Sequence, residues 1–323
     1  MMELIKIDNY KLARMSSLKN IIDMKLKVKI FFTVFILSLI VCIIITPLRS
    51  GSESITIGVL TGFYLSSVVG AIVYYTLTTC ALHRYNTKLS PIIIITAIFL
   101  GQSILRLPFH IIDFDRTSNS FLEYLIQVFS IALGYIVYLC KSIKIKVIVS
   151  ILGIIFGLWL SYPGYKMWLN KLSYGTFTGR LDDSEEIYNF QFQTTLGDTI
   201  SLRDFRDKYL LIDHWYTYCG VCYSEFPKVQ EVYDKYKDNL NVSIISIHSR
   251  LEDKNENYST GKNILEDNGY SFPCYSIDIE APILEDLGVK AYPTVLIFDP
   301  ESKLVFRGSI DFAEKYLKKA LKE

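Results

Sequence analysis

The sequence has no charge excess of either sign: 34 Lys and Arg stand against 33 Asp and Glu, a net charge of +1 over 323 residues. That balance gives no bulk attraction for a polyanion, so nucleic acid is set aside as a partner. Charge is also scarce within residues 30 to 162, which are mainly Ile, Leu, Val, Phe, Tyr, Gly and Ser in long runs. The rest of the chain carries charge in ordinary globular proportion. Apolar residues make up 50% of the whole and mean hydropathy is positive, which soluble chains rarely show. Two different polymers are joined end to end.

Crossing the hydrocarbon core takes about 20 apolar residues. Five runs near that length occur, at 30–48, 55–80, 91–107, 121–140 and 145–162. Buried helices of a soluble domain are a poor alternative, because five such runs in succession leave no polar face for water. The third run is short and holds Gln102 and Arg106, the latter near enough to its end to snorkel. No A-x-A-like cleavage site follows the first run in Thr46-Pro47-Leu48-Arg49-Ser50, and 29 residues precede it, so it reads as a retained anchor. The expectation is an all-α membrane region of about five transmembrane helices over 30–162, preceded by a basic tail at 1–29 and followed by a linker at 163–186.

Orientation follows from Lys and Arg in short flanks. The tail (Lys6, Lys11, Arg14, Lys19, Lys25, Lys27, Lys29), the second loop (Arg84, Lys88) and the fourth loop (Lys141, Lys144, Lys146) hold twelve; the first and third loops hold Arg49 and Arg116. With the amino terminus cytoplasmic and an odd number of spans, everything after Tyr162 is expected outside the cytoplasm, where disulfides are permitted. Of six cysteines, Cys42, Cys80 and Cys140 fall in or at the ends of the apolar runs, and Cys219, Cys222 and Cys274 in the polar part. Cys80 and Cys140 both lie near expected cytoplasmic helix ends, where a pair would pass electrons inward. The plainer reading is that they are small apolar fillers.

Beyond residue 187 the pattern turns to α/β. Strands are predicted at 189–193 and 199–202 around a Gly197-Asp198 turn, then at 209–215, 241–247, 275–277, 294–299 and 303–307. Helical spacing covers 224–237, 261–268, 282–287 and 312–322. Cys219-Gly220-Val221-Cys222 stands where the strand 209–215 meets the helix that follows. There the unpaired N–H groups and dipole of a helix amino terminus favour a thiolate at Cys219, the attacking sulfur, while Cys222 sits one turn inside to resolve a mixed disulfide. The same spacing serves zinc, but the sequence has no second close pair, only Cys274, His214 and His248 as further donors. No metal is expected, and no cofactor, since a dithiol carries two electrons itself.

The run Asp213-His214-Trp215-Tyr216-Thr217-Tyr218-Cys219-Gly220-Val221-Cys222 resembles the active-site strand and turn of thioredoxin. Within that superfamily it is most similar to the membrane-anchored extracytoplasmic reductases of the ResA and TlpA type. Leu196 to Phe205 resembles their entry hairpin, Glu225-Phe226-Pro227 the acidic and proline positions of their first helix, and Gly288 to Thr294 the segment carrying a cis-proline. The resemblance covers roughly 187 to 323 and implies an α/β thioredoxin-like domain with a mixed central sheet flanked by helices. It implies catalytic roles for Cys219 and Cys222 as a redox-active disulfide, with Asp213 as a buried proton acceptor and Glu225 as a proton relay. It also places Trp215, Tyr292 and Pro293 at the substrate groove, and gives Pro227 a helix kink. An acid in a helix's first turn is favourable without any such role, and His214, on the opposite strand face from Asp213 and Trp215, is expected to be packed or solvated.

The resulting expectation is a thiol-disulfide oxidoreductase in the bacterial inner (plasma) membrane, reducing protein disulfides outside the cytoplasm, with cytochrome c maturation as the setting the family suggests. Its partners are protein disulfides or dithiols and a membrane electron donor. Val221 replaces the proline common between the cysteines of reducing members, and Tyr218 the usual tryptophan, so oxidative folding stays open. So does a redox-regulated membrane sensor or transport subunit.

Overall fold

The computed structural model describes residues 2–50, 57–187 and 190–322. The chain divides into two compact units that meet in sequence between Tyr165 and Lys166. The first is helical: α1 Met2–Ile45, α2 Ile57–Tyr85, α3 Pro91–Ser103, α4 Leu107–Ile112, α5 Phe114–Leu139 and α6 Ile143–Trp159. A π turn at Leu160–Gly164, holding Pro163 and its missing N–H, leads on to α7, Tyr165–Tyr174.

Among the described residues four helical stretches are long and apolar enough to cross a membrane: Leu18–Arg49, Gly62–Tyr85, Phe114–Leu139 and Ile143–Tyr174. The third of the five apolar runs differs. It forms the 13-residue α3, then breaks before α4, whose Pro108 near the first position cannot continue the hydrogen-bond ladder. At about 1.5 Å per residue α3 reaches roughly 20 Å, short of a core of about 30 Å. It packs on α1 through small residues: Gly101 lies against the backbone of Phe35, and Ser38 Oγ donates to Ile98 O at 2.6 Å. Ile143, Ile148, Leu152 and Ile155 of α6 stay exposed, the apolar outer face expected of a helix whose solvent is lipid.

The second unit is built on an eight-stranded mixed sheet, counted among the described residues, in the order β1-β8-β7-β4-β5-β6-β2-β3. The strands are β1 Arg180–Glu186, β2 Gln191–Gln193, β3 Thr199–Ser201, β4 Tyr209–Trp215, β5 Val242–Arg250, β6 Cys274–Asp278, β7 Thr294–Phe298 and β8 Lys303–Gly308. The helices are α8 Gly220–Tyr236, α9 Thr260–Asp267, α10 Ile283–Asp286 and α11 Ile310–Ala320. The central β4 runs parallel to β5 and antiparallel to β7. Its side chains alternate between two cores. Leu211 and Trp215 join Phe226, Val229, Ala313 and Leu317 under α8 and α11; Leu210 and Ile212 join Phe190, Phe192, Leu284 and Phe298 on the other face.

The span expected as a linker, 163–186, is ordered instead as α7 and β1. Arg-Leu-Asp-Asp-Ser-Glu-Glu shows no apolar alternation and reads as coil. Its strand conformation comes from backbone pairing with β8, with Arg180 opposite Phe306 and Glu186 opposite Lys303, so the cause lies 120 residues away rather than in its own side chains.

Candidate functional site

Cys219 and Cys222 lie where β4 gives way to α8, and they form a disulfide. Cys219 is the N-cap of α8, its Sγ accepting the Cys222 N–H at 3.1 Å. The sulfur thus occupies the place a capping oxygen would take, among backbone donors that favour negative charge there. This cap is why α8 starts at Gly220, four residues before the apolar spacing alone predicts. Cys219 is 5% exposed and Cys222 1%, so an incoming group meets Cys219 first. Tyr218, beside it, is 60% exposed.

The Tyr292–Pro293 peptide is cis. Its loop lies against the residues that lead to Cys219: the Tyr292 ring is edge-on to Tyr216 at 5.1 Å, and its hydroxyl donates to Ser249 Oγ at 3.1 Å. Tyr292 and Pro293 therefore flank the turn. Trp215 does not. It is fully buried, edge-on to Phe226 at 4.9 Å and 4.7 Å from the His248 ring, so it supports the turn from below and forms no part of a groove surface. Strand alternation carries it under α8, and its bulk fills the space between sheet and helix.

Two acids lie on the elements that meet at the disulfide, Asp213 on β4 and Glu225 on α8. Asp213 is buried, and its Oδ1 has no hydrogen-bond partner. Loss of water, and after it the nearby Glu225 carboxylate, raise its pKa to about 8. Glu225 sits in the second turn of α8 and not in the first, so the helix-dipole explanation for an acid there does not hold; its Oε2 is buried and unbonded. Burial, then the Asp311 carboxylate, raise its pKa against the opposing Lys166 ammonium, to about 7 in all. Both carboxyls thus exchange protons near neutrality, as a group serving a thiol must. Pro227 stands inside α8, exposed on its outer side.

Residues outside the expected domain also reach this region. From α7, Tyr174 donates its hydroxyl to Pro293 O at 2.7 Å, and burial, followed by the Glu225 and Asp213 carboxylates, pushes its own pKa up. Lys166 Nζ pairs with Asp311 at 2.6 Å, and Asn170 Oδ1 accepts the Ser309 N–H at 3.1 Å. Nothing in the polar run 163–186 marks them, since a tyrosine and a lysine on a short amphipathic helix are ordinary surface residues until the cis-proline loop is folded against them.

The remaining candidates are structural. His214 is fully buried with neither ring nitrogen bonded, and burial pushes its pKa down to about 3. It packs on Phe190 at 6.3 Å, away from the disulfide. His248 meets Thr217 Oγ1 at 2.9 Å and Glu256 Oε2 at 3.7 Å, bracing the loop before Cys219; desolvation holds it down at about 4, against the Glu256 carboxylate. The Cys274 thiol is pushed up to about 12 by burial and lies tight against Gly261, where an added Cβ would come within 3.0 Å of its sulfur. Cys80 is exposed and Cys140 half-buried, both free, the latter donating to Ile136 O at 3.3 Å. A cavity of about 410 Å³ between the β2–β3 hairpin and the β7–β8 turn touches none of the site residues.

This arrangement has known counterparts. The AhpC/TSA family matches residues 184–307. The chain is 31% identical over 150 residues to the thiol-disulfide oxidoreductase ResA of Bacillus thuringiensis subsp. konkukian, covering 45% of this chain and 83% of that protein. It is 27% identical over 131 residues to ResA of Bacillus subtilis, covering 40% and 69%. The exposed lipoprotein thioredoxin of Streptococcus pneumoniae, a crystal structure, is 24% identical, covers 40% of this chain and 98% of that one, and superposes with a TM-score of 0.34. Only the carboxy-terminal segment is matched by these relatives, and through that segment the chain belongs to the ResA-like thiol-disulfide oxidoreductases of the thioredoxin fold.

Proposed function

We propose that the Cys219–Cys222 dithiol reduces disulfides of proteins outside the cytoplasm, with the helical unit embedded in the bacterial plasma membrane and the amino terminus on the cytoplasmic side. The observation that carries this reading is a disulfide at the amino terminus of α8, with two carboxyls of raised pKa, Asp213 and Glu225, on the strand and helix that meet there. In the reducing direction, the Cys219 thiolate attacks one sulfur of the substrate disulfide and displaces the other. Asp213, with Glu225 as relay, takes the proton of Cys222. The Cys222 thiolate then attacks Cys219 Sγ, closing the 219–222 disulfide and releasing the substrate as a dithiol. Two electrons pass to the substrate and none to a cofactor, so a membrane electron donor must recharge the pair. Tyr292 and Pro293 line the approach to Cys219, and Tyr174 holds the Pro293 carbonyl from behind. The likeness to the ResA-type reductases suggests cytochrome c maturation as the setting.

The test is the equilibrium reduction potential of the full chain in detergent, titrated against dithiothreitol and read by alkylation of Cys219 and Cys222. A potential near about −270 mV, that of thioredoxin, supports the reducing direction, and one near about −120 mV reverses it to disulfide formation. Absence of a reversible 219–222 couple overturns the dithiol itself.

A further inference from the structure

The helical unit holds a group of buried polar side chains that thiol chemistry does not use. Glu123, fully buried on α5, pairs with two guanidiniums, Arg49 Nε at 2.5 Å and Arg106 Nη2 at 3.5 Å. Gln127 ties the group together: its Nε2 donates to Glu123 at 2.8 Å, and its Oε1 accepts Arg106 Nη1 at 2.8 Å and Gln102 Nε2 at 3.3 Å. Among the described residues Glu123 is the one acid paired with either arginine, so the cluster keeps a net positive charge. Ionisable side chains at this cost in an apolar bundle mark ligand paths more often than scaffolding.

Beside the cluster lies a cavity of about 370 Å³. Arg49, Arg106 and His110 line it, and so do Ile43, Leu105 and Phe109. Two nitrogens on its wall have no hydrogen-bond partner among the described residues. Arg49 Nη2 and His110 Nδ1 lack hydrogen-bond partners, although His110 is only 6% exposed. The hydroxyls nearby, Thr46, Thr117 and Ser120, each donate to a backbone carbonyl one turn back, and none of them is a hydrogen-bond partner of either nitrogen. A buried donor without an acceptor is costly enough that native proteins rarely leave one. The rim is the reverse, with Ile43, Leu105 and Phe109 exposed at 53%, 47% and 63%. The lining residues come from the end of α1 and the turn that follows it, the break between α3 and α4, α4 itself, and the start of α5. They share one end of the bundle, where a span would leave the hydrocarbon core for the headgroup layer.

The geometry points to a binding site for a phosphate-headed lipid. One phosphate oxygen accepts from Arg49 and another from His110. Its single negative charge balances the second guanidinium, as guanidinium and phosphate geometry favours, and the acyl chains lie along Ile43, Leu105 and Phe109. Free inorganic phosphate offers the same head but makes no use of the apolar rim.

Full chain purified in a neutral detergent, then supplied with phosphatidylglycerol or phosphatidylcholine, tests this by native mass spectrometry of retained lipid. Phosphatidylglycerol is expected to be retained at least tenfold better than phosphatidylcholine, and its retention to fall at least tenfold in Arg49→Gln and in His110→Phe. Millimolar inorganic phosphate should leave it bound. Equal retention of the two lipids, or undiminished retention in both variants, overturns the site; displacement by inorganic phosphate overturns the lipid as its occupant. Helix content by circular dichroism qualifies each variant, and His110→Phe, which fills space with another ring, carries the test alone if Arg49→Gln misfolds. Disulfide exchange by Cys219 and Cys222 should be unchanged in both variants, so failure of this inference is separate from failure of the redox reading.

Discussion

Replacing Asp213 by Asn should stabilise the redox unit, and more so as pH rises. In the folded protein Asp213 holds its proton up to about pH 8, against 3.8 for an ordinary aspartate. Between those values unfolding releases a proton, so the native state binds more protons than the unfolded one and stability falls with rising pH. Each pH unit crossed removes about 1.36 kcal/mol. At pH 5 the accumulated cost is about 2 kcal/mol, and at pH 7 about 4 kcal/mol, a large share of the roughly 5–15 kcal/mol that holds most domains folded. Asn keeps the shape and the burial but cannot ionise, so the variant should gain about those amounts and lose the pH slope. Urea unfolding of a fragment beginning at Lys166, which contains the whole sheet and both of its cores, measures this at pH 5, 7 and 8.5. A gain that does not change with pH, or an Asn variant less stable than wild type at pH 7, would show that the carboxyl is not held neutral by burial. The same variant should slow disulfide exchange, since the group that receives the Cys222 proton is gone.

Cys222→Ser should accumulate mixed disulfides through Cys219, whereas Cys219→Ser should form none; non-reducing electrophoresis after incubation with a disulfide-bearing protein distinguishes them. His214→Leu should raise stability by about 1–3 kcal/mol by removing two unbonded buried nitrogens. It should also remove an acid sensitivity. The folded histidine titrates at about 3 instead of 6.5, so the unfolded chain alone gains a proton as pH falls below about 6.5 and stability drops there; unfolding curves at pH 4.5 and 7.5 read both effects. Tyr174→Phe should cost about 1 kcal/mol through the lost bond to Pro293 O, and faster hydrogen exchange in the 291–294 loop would locate the loss.

Much of the redox domain was legible because its information is local. Tyr209–Trp215 runs as strand over the residues its apolar content predicts, and the C-x-x-C falls at the strand-to-helix turn. The placing of His214 and Asp213 on opposite faces followed from a period of two. What stayed hidden was set by distant partners. β1 exists through β8, the burial of Glu225 depends on what packs over α8, and Tyr174 matters because of where Pro293 folds. The removal of Trp215 from the groove has the same origin, since a sequence motif gives a neighbour but not a depth. In the helical unit, apolar run length located the helices, but it did not reveal that Pro108 would divide the third run or that Arg49, Arg106 and Glu123 would converge.

The charged strand β1 has a consequence for how the protein behaves in a crowded compartment. A mixed sheet ends in two open rows of backbone donors and acceptors, each a template on which another chain can add a strand. On one side the sheet ends in β3, which is three residues long. On the other, β8 is covered by β1, whose seven residues include four acids, Asp182, Asp183, Glu185 and Glu186. An acidic edge strand is one of the ways a sheet discourages edge-to-edge pairing. The segment least legible as structure thus acts as a guard against self-association, and neutralising its acids should promote aggregation before it alters the chemistry of Cys219 and Cys222.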